Sequence, residues 1–148
     1  MRIFSPSFQH SERIPSQYTC DGANTISPLQ FSEVPEGTKS LVLIVDDPDA
    51  PIEGSFTHWT VWNINPETTE IDEGVAPPEG VQGKNDFGHL GYGGPCPPSG
   101  EHRYMFKLYA LDKELDLEEG AAKSELEEEI KGSVLESSTL MGLYSREG

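Results

Sequence analysis

Residues 85–110 join a loop rich in glycine and proline directly to a strand pattern. Pro95, Pro97 and Pro98 fix three φ angles and remove three backbone N–H donors, which excludes a helix interior or a central strand over this run. From residue 102 onward, apolar and polar side chains alternate with a period of two, which predicts a strand. His102 and Tyr104 share one face at the start of that strand. The segment therefore predicts a small pocket beside a rigid loop.

The rest of the chain is divided into short segments by twelve prolines and fifteen glycines, which favours strands and turns. Short strands are predicted within residues 3–8 and 29–31, and longer ones over residues 40–46, 56–64, 102–111 and 134–145. In the strand over residues 56–64, the alternation places Trp59, Val61 and Asn63 opposite His58, Thr60 and Trp62. Ala122, Leu126 and Ile130 recur every four residues and predict one late helix that stops near Gly132. The expected fold is mainly antiparallel β, in a single domain over residues 1–148.

The strand over residues 40–46, SLVLIVD, is almost continuously apolar, so we expect it to be buried on both faces. It leads into a run of carboxylates at Asp46, Asp47 and Asp49. Carboxylates this close together repel one another. Each must therefore be solvated, hydrogen-bonded or paired with a cation.

The chain is strongly acidic, with 10 lysines and arginines against 26 aspartates and glutamates, for a net charge of −16. Phosphate backbones and anionic membrane surfaces should repel it, so nucleic-acid binding is not expected. The acidity fits either ordinary solubility or a high-salt cytoplasm. The sequence has neither a signal-peptide pattern nor a run approaching the roughly 20 apolar residues of a membrane span. We expect a cytoplasmic protein without stable membrane insertion.

Cys20 and Cys96 are the two cysteines of the chain, and each lies next to turn residues. Thiols normally stay reduced in a cytosol, so two free cysteines are the favoured prediction. A single disulfide is the alternative if the two loops meet.

His58, His102 and Asp47 are the strongest candidates for a functional site. Two imidazoles and a carboxylate around a rigid loop can receive a small anion, with the histidines donating hydrogen bonds and the carboxylate fixing their tautomers. A metal site would recruit Asp49 as well, but no established ligand spacing is present. Cys96 with His102 as its base is a further alternative. The glycines match neither a P-loop nor a dinucleotide fingerprint.

Five segments together resemble the phosphatidylethanolamine-binding protein family. They are DDPDAP at residues 46–51, HW at 58–59, GYGGPCPPSGEHRYMFKLYAL at 91–111, YTCDG at 18–22 and NDFG at 85–88. The last two resemble its prokaryotic YbhB/YbcL branch, also called Raf kinase inhibitor-like. The resemblance implies a β-sandwich with a large central sheet, a smaller sheet and peripheral helices. It also implies a cavity for phosphate, acetate or a phosphorylated head group, lined by Asp47, Ala50, Pro51, His58, Gly94, Cys96, Pro97, His102 and Tyr104.

Two departures from the family pattern bear on the ligand. The chain ends at Gly148, where eukaryotic members add a helix near the cavity, and only residues 99–101 separate the proline run from His102. A more open pocket is therefore expected, and head-group selectivity is not carried over.

The sequence favours a non-enzymatic protein that needs no cofactor or metal and binds an anion or a phosphorylated partner. A serine-protease inhibitor and, less favoured, a small hydrolase using His58, His102 and Asp47 are the alternatives. A kinase or protease partner and a homodimer are left open.

Overall fold

The computed structural model describes residues 1–146, which form two β-sheets and one α-helix. The strands are β1 (Arg2–Phe4), β2 (Glu12–Arg13), β3 (Leu29–Ser32), β4 (Ser40–Asp47), β5 (Phe56–Ile64), β6 (Glu70–Ile71), β7 (Val81–Gln82), β8 (His102–Leu111) and β9 (Val134–Tyr144). The helix α1 spans Lys123–Ile130, and one 3₁₀ turn spans Ser16–Tyr18. The prediction of a mainly β protein with a late helix is confirmed.

The large sheet has six strands in the order β2-β9-β8-β4-β5-β7, and the small sheet has three in the order β1-β3-β6. All neighbouring strands pair antiparallel except β2 and β9, which run parallel. The large central sheet and the smaller sheet match the expected fold. Strands β4, β5 and β8 lie side by side, so the loops at one end of these three strands meet.

Strand β4 is buried along its whole length because both of its faces are covered. Leu43 and Val45 belong to the core that also contains Phe106 of β8 and the residues of the small sheet. Val42 and Ile44 point the other way, into a second core that includes buried residues of α1. Burial on two sides explains why this strand lacks an apolar–polar alternation.

Helix α1 covers the outer face of the large sheet with Leu126 and Ile130, both of which are buried. At its start, the backbone N–H of Ala122 donates to Oε1 of Glu125. Just after its end, Gly132 has a φ of 78°, a left-handed conformation that suits glycine and stops the helix. The sequence had indicated this stop.

Strand β5 contains a bulge that the alternation pattern did not predict. Leu43 pairs with Val61 and Leu41 with Ile64, so one strand advances three residues while the other advances two. Asn63 has a φ of 54°, and its side chain exchanges hydrogen bonds with the backbone of Leu115. The prediction that Asn63 shares a face with Val61 is wrong, because the bulge gives that place in the core to Ile64.

The prediction of free thiols is also wrong, because Cys20 and Cys96 form a disulfide with their Cα atoms 5.4 Å apart. The fold brings the two loops together through backbone contacts as well. The N–H of Cys20 donates to the carbonyl of Pro95, and the hydroxyl of Tyr92 donates to the carbonyl of Tyr18. The sequence analysis predicted free thiols from the reducing conditions of a cytosol. Those conditions do not indicate whether the fold places the two cysteines close together.

Within residues 1–146, none of the helical segments is both long and apolar enough to cross a bilayer.

Candidate functional site

Asp46, near the end of β4, and Asp49, just after that strand, are paired with basic side chains of β8 and α1. Asp46 points to the outer face of the sheet and lies 3.1 Å from both Lys107 and Lys123. Asp49 accepts two guanidinium hydrogen bonds and one backbone hydrogen bond from Arg103. Through these bonds Arg103 lowers the pKa of Asp49 to about 2. The repulsion expected from the sequence is therefore relieved by pairing, and the 47–51 loop is anchored to β8.

Asp47 points to the inner side, where it is buried against His102. Its Oδ2 lies 2.6 Å from Nδ1 of His102, and its Oδ1 accepts the backbone N–H of Asp49 at 2.8 Å. An ionised carboxylate can only accept hydrogen bonds, so Nδ1 of His102 carries the proton. The pair thus fixes the orientation of the His102 ring and leaves Nε2 as its remaining polar atom.

His58 is held in the same way by a backbone carbonyl. Its Nδ1 lies 2.7 Å from the carbonyl oxygen of Gly93, and the N–H of Gly93 donates to the carbonyl of His58. The carbonyl can only accept, so Nδ1 of His58 also carries a proton. Burial lowers the pKa of His58, an effect that the Gly93 hydrogen bond and the charge of Asp47 partly oppose.

Tyr104 lies between the two histidines on the floor of a cavity. Its ring centroid is 5.2 Å from that of His58 and 6.4 Å from that of His102. The Tyr104 side chain is buried, and within residues 1–146 its hydroxyl makes no hydrogen bond of normal geometry, although Asp47 is close enough to act on it as an acceptor and raise its pKa. Burial raises the pKa of this phenol, and the negative charges of Asp47 and Asp49 raise it further. The hydroxyl therefore stays protonated and remains a donor.

The cavity has a volume of about 220 Å³ and is open on one side. Of the residues predicted to line it, the fold brings together Asp47, Ala50, Pro51, His58, Cys96, Pro97, His102 and Tyr104. The elements that supply them are the loop after β4, strand β5, the proline-rich loop and the start of β8. This convergence at the ends of three neighbouring strands is what positions the site.

Gly94 is the predicted residue that does not line this cavity. It faces a neighbouring hollow on the other side of the proline-rich loop. There its N–H donates to Oδ1 of Asn24, and a Cβ at this position would lie 2.4 Å from the carbonyl oxygen of Tyr18. The small residue permits the close approach of two loops, which is a structural role.

Four lining residues were missed by the sequence analysis: Ile52, Phe56, Phe87 and Pro98. Phe56 could have been found, because it lies two residues before His58 on the same predicted strand. Phe87 is positioned by Asn85, whose Oδ1 accepts the backbone N–H groups of Phe87 and His89. Such Asn-centred turns are readable from sequence, although the direction of the Phe87 side chain is not.

Two alternative chemistries can be judged from the same geometry. Cys96 lines the cavity near His102, but in the disulfide with Cys20 it carries no thiol that could act as a nucleophile. In the part of the chain that the structure describes, no group of three or more His, Cys, Asp or Glu side chains is arranged to hold a metal ion. The arrangement offers imidazole and phenol hydrogen bonds to a small ligand.

Comparison with known proteins places the chain in a family. Residues 4–145 match the family model described as phosphatidylethanolamine-binding protein. A relative from Methanothermobacter thermautotrophicus, named UPF0098 protein, is 52% identical over 99% of this chain and 99% of its own length. Another UPF0098 protein, from Pyrococcus horikoshii, is 49% identical over 96% of this chain and 75% of its own.

Two solved structures have the same fold. One is described as a phosphatidylethanolamine-binding protein homologue from Chlamydia trachomatis, with a TM-score of 0.94, 42% identity, and coverage of 98% of this chain and 97% of that one. The other is YbcL from E. coli, described as a member of the mammalian PEBP family, with a TM-score of 0.91, 31% identity and 97% coverage of both chains. The chain therefore belongs to the phosphatidylethanolamine-binding protein family.

Proposed function

We propose that this protein binds small anions, above all phosphate and phosphorylated head groups, and that it regulates through such ligands or through phosphorylated partner proteins. The observation that carries the proposal is the hydroxyl of Tyr104, which is buried without a hydrogen bond of normal geometry at a cavity floor flanked by two oriented imidazoles. A buried donor without a partner costs about 1–3 kcal/mol, which a ligand acceptor would recover. An anionic oxygen is a strong acceptor for this purpose.

Charge and protonation define how the anion is held. The buried carboxylate of Asp47 would repel an anion, but its two oxygens accept hydrogen bonds from His102 and Asp49, which shield it from the ligand. The phenol of Tyr104 adds a neutral donor. His58 adds a positive charge when protonated, and a bound anion would favour that form against the burial that lowers its pKa. Binding should therefore take up a proton and strengthen as the pH falls.

The proposal also includes the absence of turnover. A hydrolase would use the pair of His102 and Asp47 to activate a nucleophile. Cys96 is blocked by its disulfide, and the raised pKa of Tyr104 keeps the phenol protonated. Among the residues that line the cavity, these two exclusions leave water as the nucleophile. A phosphatase or esterase rate abolished by His102→Ala would contradict the proposal.

The proposed setting is the cytoplasm, with a kinase or protease as the class of protein partner and no nucleic-acid ligand. The disulfide narrows the proposed cytoplasm to one in which protein disulfides persist, because they are rare in the cytosol outside hyperthermophiles. The second candidate function is inhibition of a serine protease, through residues 94–100 or through residues 52–56, where Ile52 is exposed.

Isothermal titration calorimetry with phosphate tests the binding proposal. Tyr104→Phe removes only the hydroxyl and should weaken phosphate binding about tenfold, as expected for a hydrogen bond to a charged group. The double variant His58→Ala with His102→Ala should abolish detectable binding. His89→Ala is the matched control, because His89 is exposed and does not line the cavity. Unchanged affinity in a folded double variant would contradict the proposal.

A further inference from the structure

The mouth of the cavity is apolar and exposed. Ile52 and Phe87 have 49% and 42% of their surfaces exposed, although both line the cavity. The ring of Phe87 lies 4.8 Å from that of Phe56 and 5.5 Å from that of His58, measured between centroids. An anion on the cavity floor would therefore have its outward substituent beside these side chains.

The position of Phe87 is built into its loop. All the hydrogen bonds of the Asn85 side chain are made within the loop. Its Oδ1 accepts the backbone N–H groups of Phe87 and His89, and its Nδ2 donates to the carbonyl of Gly91. A Cβ at Gly93 would lie 2.4 Å from the Phe87 ring, so only glycine permits this packing. The apolar mouth is therefore formed before any ligand binds, and it costs little ordering on binding.

The carboxylate in the described lining is buried and already hydrogen-bonded, so it is poorly placed to pair with a positively charged substituent at the mouth. Asp47 is the one acidic lining residue among those described, and both of its oxygens already accept hydrogen bonds from His102 and Asp49. Asp49 itself is engaged by Arg103. Among the lining residues at the mouth, an ammonium group would face the rings of Phe56 and Phe87, and cation–π attraction is weakest at exposed sites.

Building on the proposed function, we propose that this cavity selects phosphate monoesters with an apolar substituent over those with an ammonium substituent. Phe87 and Ile52 are the residues that determine this specificity. Burial of each methylene or methyl group against them should tighten binding about fourfold. An ammonium group in the same place keeps its hydration shell and gains no comparable free energy from burial.

Propyl phosphate and phosphoethanolamine test this directly, because they have equal numbers of non-hydrogen atoms and differ only in a terminal methyl or ammonium group. Calorimetry with inorganic phosphate, propyl phosphate and phosphoethanolamine gives the three affinities. Propyl phosphate should bind at least fourfold more tightly than phosphoethanolamine. Phe87→Ala should remove most of this preference, read as the ratio of the two ester affinities, so that any effect of the variant on the neighbouring His58 ring acts on both esters alike.

Leu90→Ala is the matched control, because Leu90 is an exposed apolar residue in the same loop region that does not line the cavity. Ile52→Ala, in a separate loop, repeats the test if Phe87→Ala fails to fold. Equal binding of the two esters, or tighter binding of phosphoethanolamine, overturns this inference while leaving the proposed function standing. No binding of any of the three overturns the proposed function itself.

Discussion

Nδ1 of His102 lies 2.6 Å from Oδ2 of Asp47, across 55 residues of sequence and with both side chains buried. Strands β4 and β8 run antiparallel as neighbours, so the end of one lies beside the start of the other. The last residue of β4 and the first residue of β8 are thereby set face to face. This pair orients one wall of the candidate anion site.

Because the pair is buried, its two members should be energetically coupled. Asp47→Ala and His102→Ala should each destabilise the fold, and the double variant should cost less than the sum by about 0.5–3 kcal/mol. Breaking a buried pair leaves one group without its partner, whereas removing both does not. Guanidinium unfolding of the four proteins gives the coupling free energy. If the losses of stability in the two single variants add up to the loss in the double variant, the contact contributes no coupling free energy.

His58 should make stability depend on pH. Its pKa is lowered in the folded state by burial, so between the ordinary histidine value of about 6.5 and that lower value the unfolded chain binds more protons. The contribution of His58 to the free energy of unfolding should therefore have its full value above about pH 6.5. It should decrease as the pH falls below that value. Urea unfolding from pH 8 to pH 5 measures this slope.

His58→Asn is the matching variant, because the Nδ2 amide of asparagine takes the place of Nδ1 and can still donate to the carbonyl of Gly93, while it does not titrate. Its slope over the same range should be smaller. Sulfate, which does not titrate in this range, should restore stability at the acidic end by binding the protonated site. An identical pH slope in the two proteins would exclude His58 as the cause.

The disulfide should contribute a large part of the stability. It links residues 76 positions apart, and in the chain-entropy model closing such a loop contributes about 4 kcal/mol. The double variant Cys20→Ser with Cys96→Ser should lower the free energy of unfolding by about 2–5 kcal/mol. The unmodified protein in a dithiol reductant should lose a similar amount. Alkylation without reductant, read by mass spectrometry, should label neither cysteine, and labelling of both would show that the bond is absent.

The contact between Asp49 and Arg103 should be visible in the titration of the carboxyl group. The pKa of Asp49 is lowered to about 2 by Arg103, so the stabilisation from this pair is complete above about pH 4 and is lost as the pH falls towards 2. Carbon-detected NMR should place the Asp49 midpoint near that value. Arg103→Gln should move the midpoint up towards the ordinary aspartate range, and at neutral pH it should change the stability little because the pair is exposed to solvent screening. A midpoint that does not move would remove Arg103 as the cause.

The sequence predicted the long strands, the buried character of β4 and the helix α1, because these depend on local periodicity. It also anticipated that the carboxylates after β4 would need partners, but not which cation each would take, since Lys107, Lys123 and Arg103 come from distant segments. The bulge at Asn63 escaped prediction because it depends on a hydrogen bond to Leu115 that only the folded chain makes.

The resemblance to known motifs anticipated most of the cavity lining, and the misses have physical reasons. Gly94 belongs to the same loop as the lining residues, but its backbone faces Asn24 on the far side. Phe87 and Ile52 lie in turns, where no periodicity predicts the direction of a side chain. The proximity of Cys20 and Cys96 depends on the tertiary fold, which neither the amino-acid composition nor the expected cellular compartment predicts.

The central claim is that the cavity binds an anion through its two histidines, and the four histidines of the chain provide an internal comparison. Imidazole ¹H–¹⁵N NMR spectra recorded during a sulfate titration at pH 6 test this most directly. The account predicts that the resonances of His58 and His102 shift together and saturate, with the Nε2 signal of His58 moving towards the protonated form, while those of His10 and His89 stay in place. If His58 and His102 do not shift, or if all four shift equally without saturating, the cavity is not an anion site.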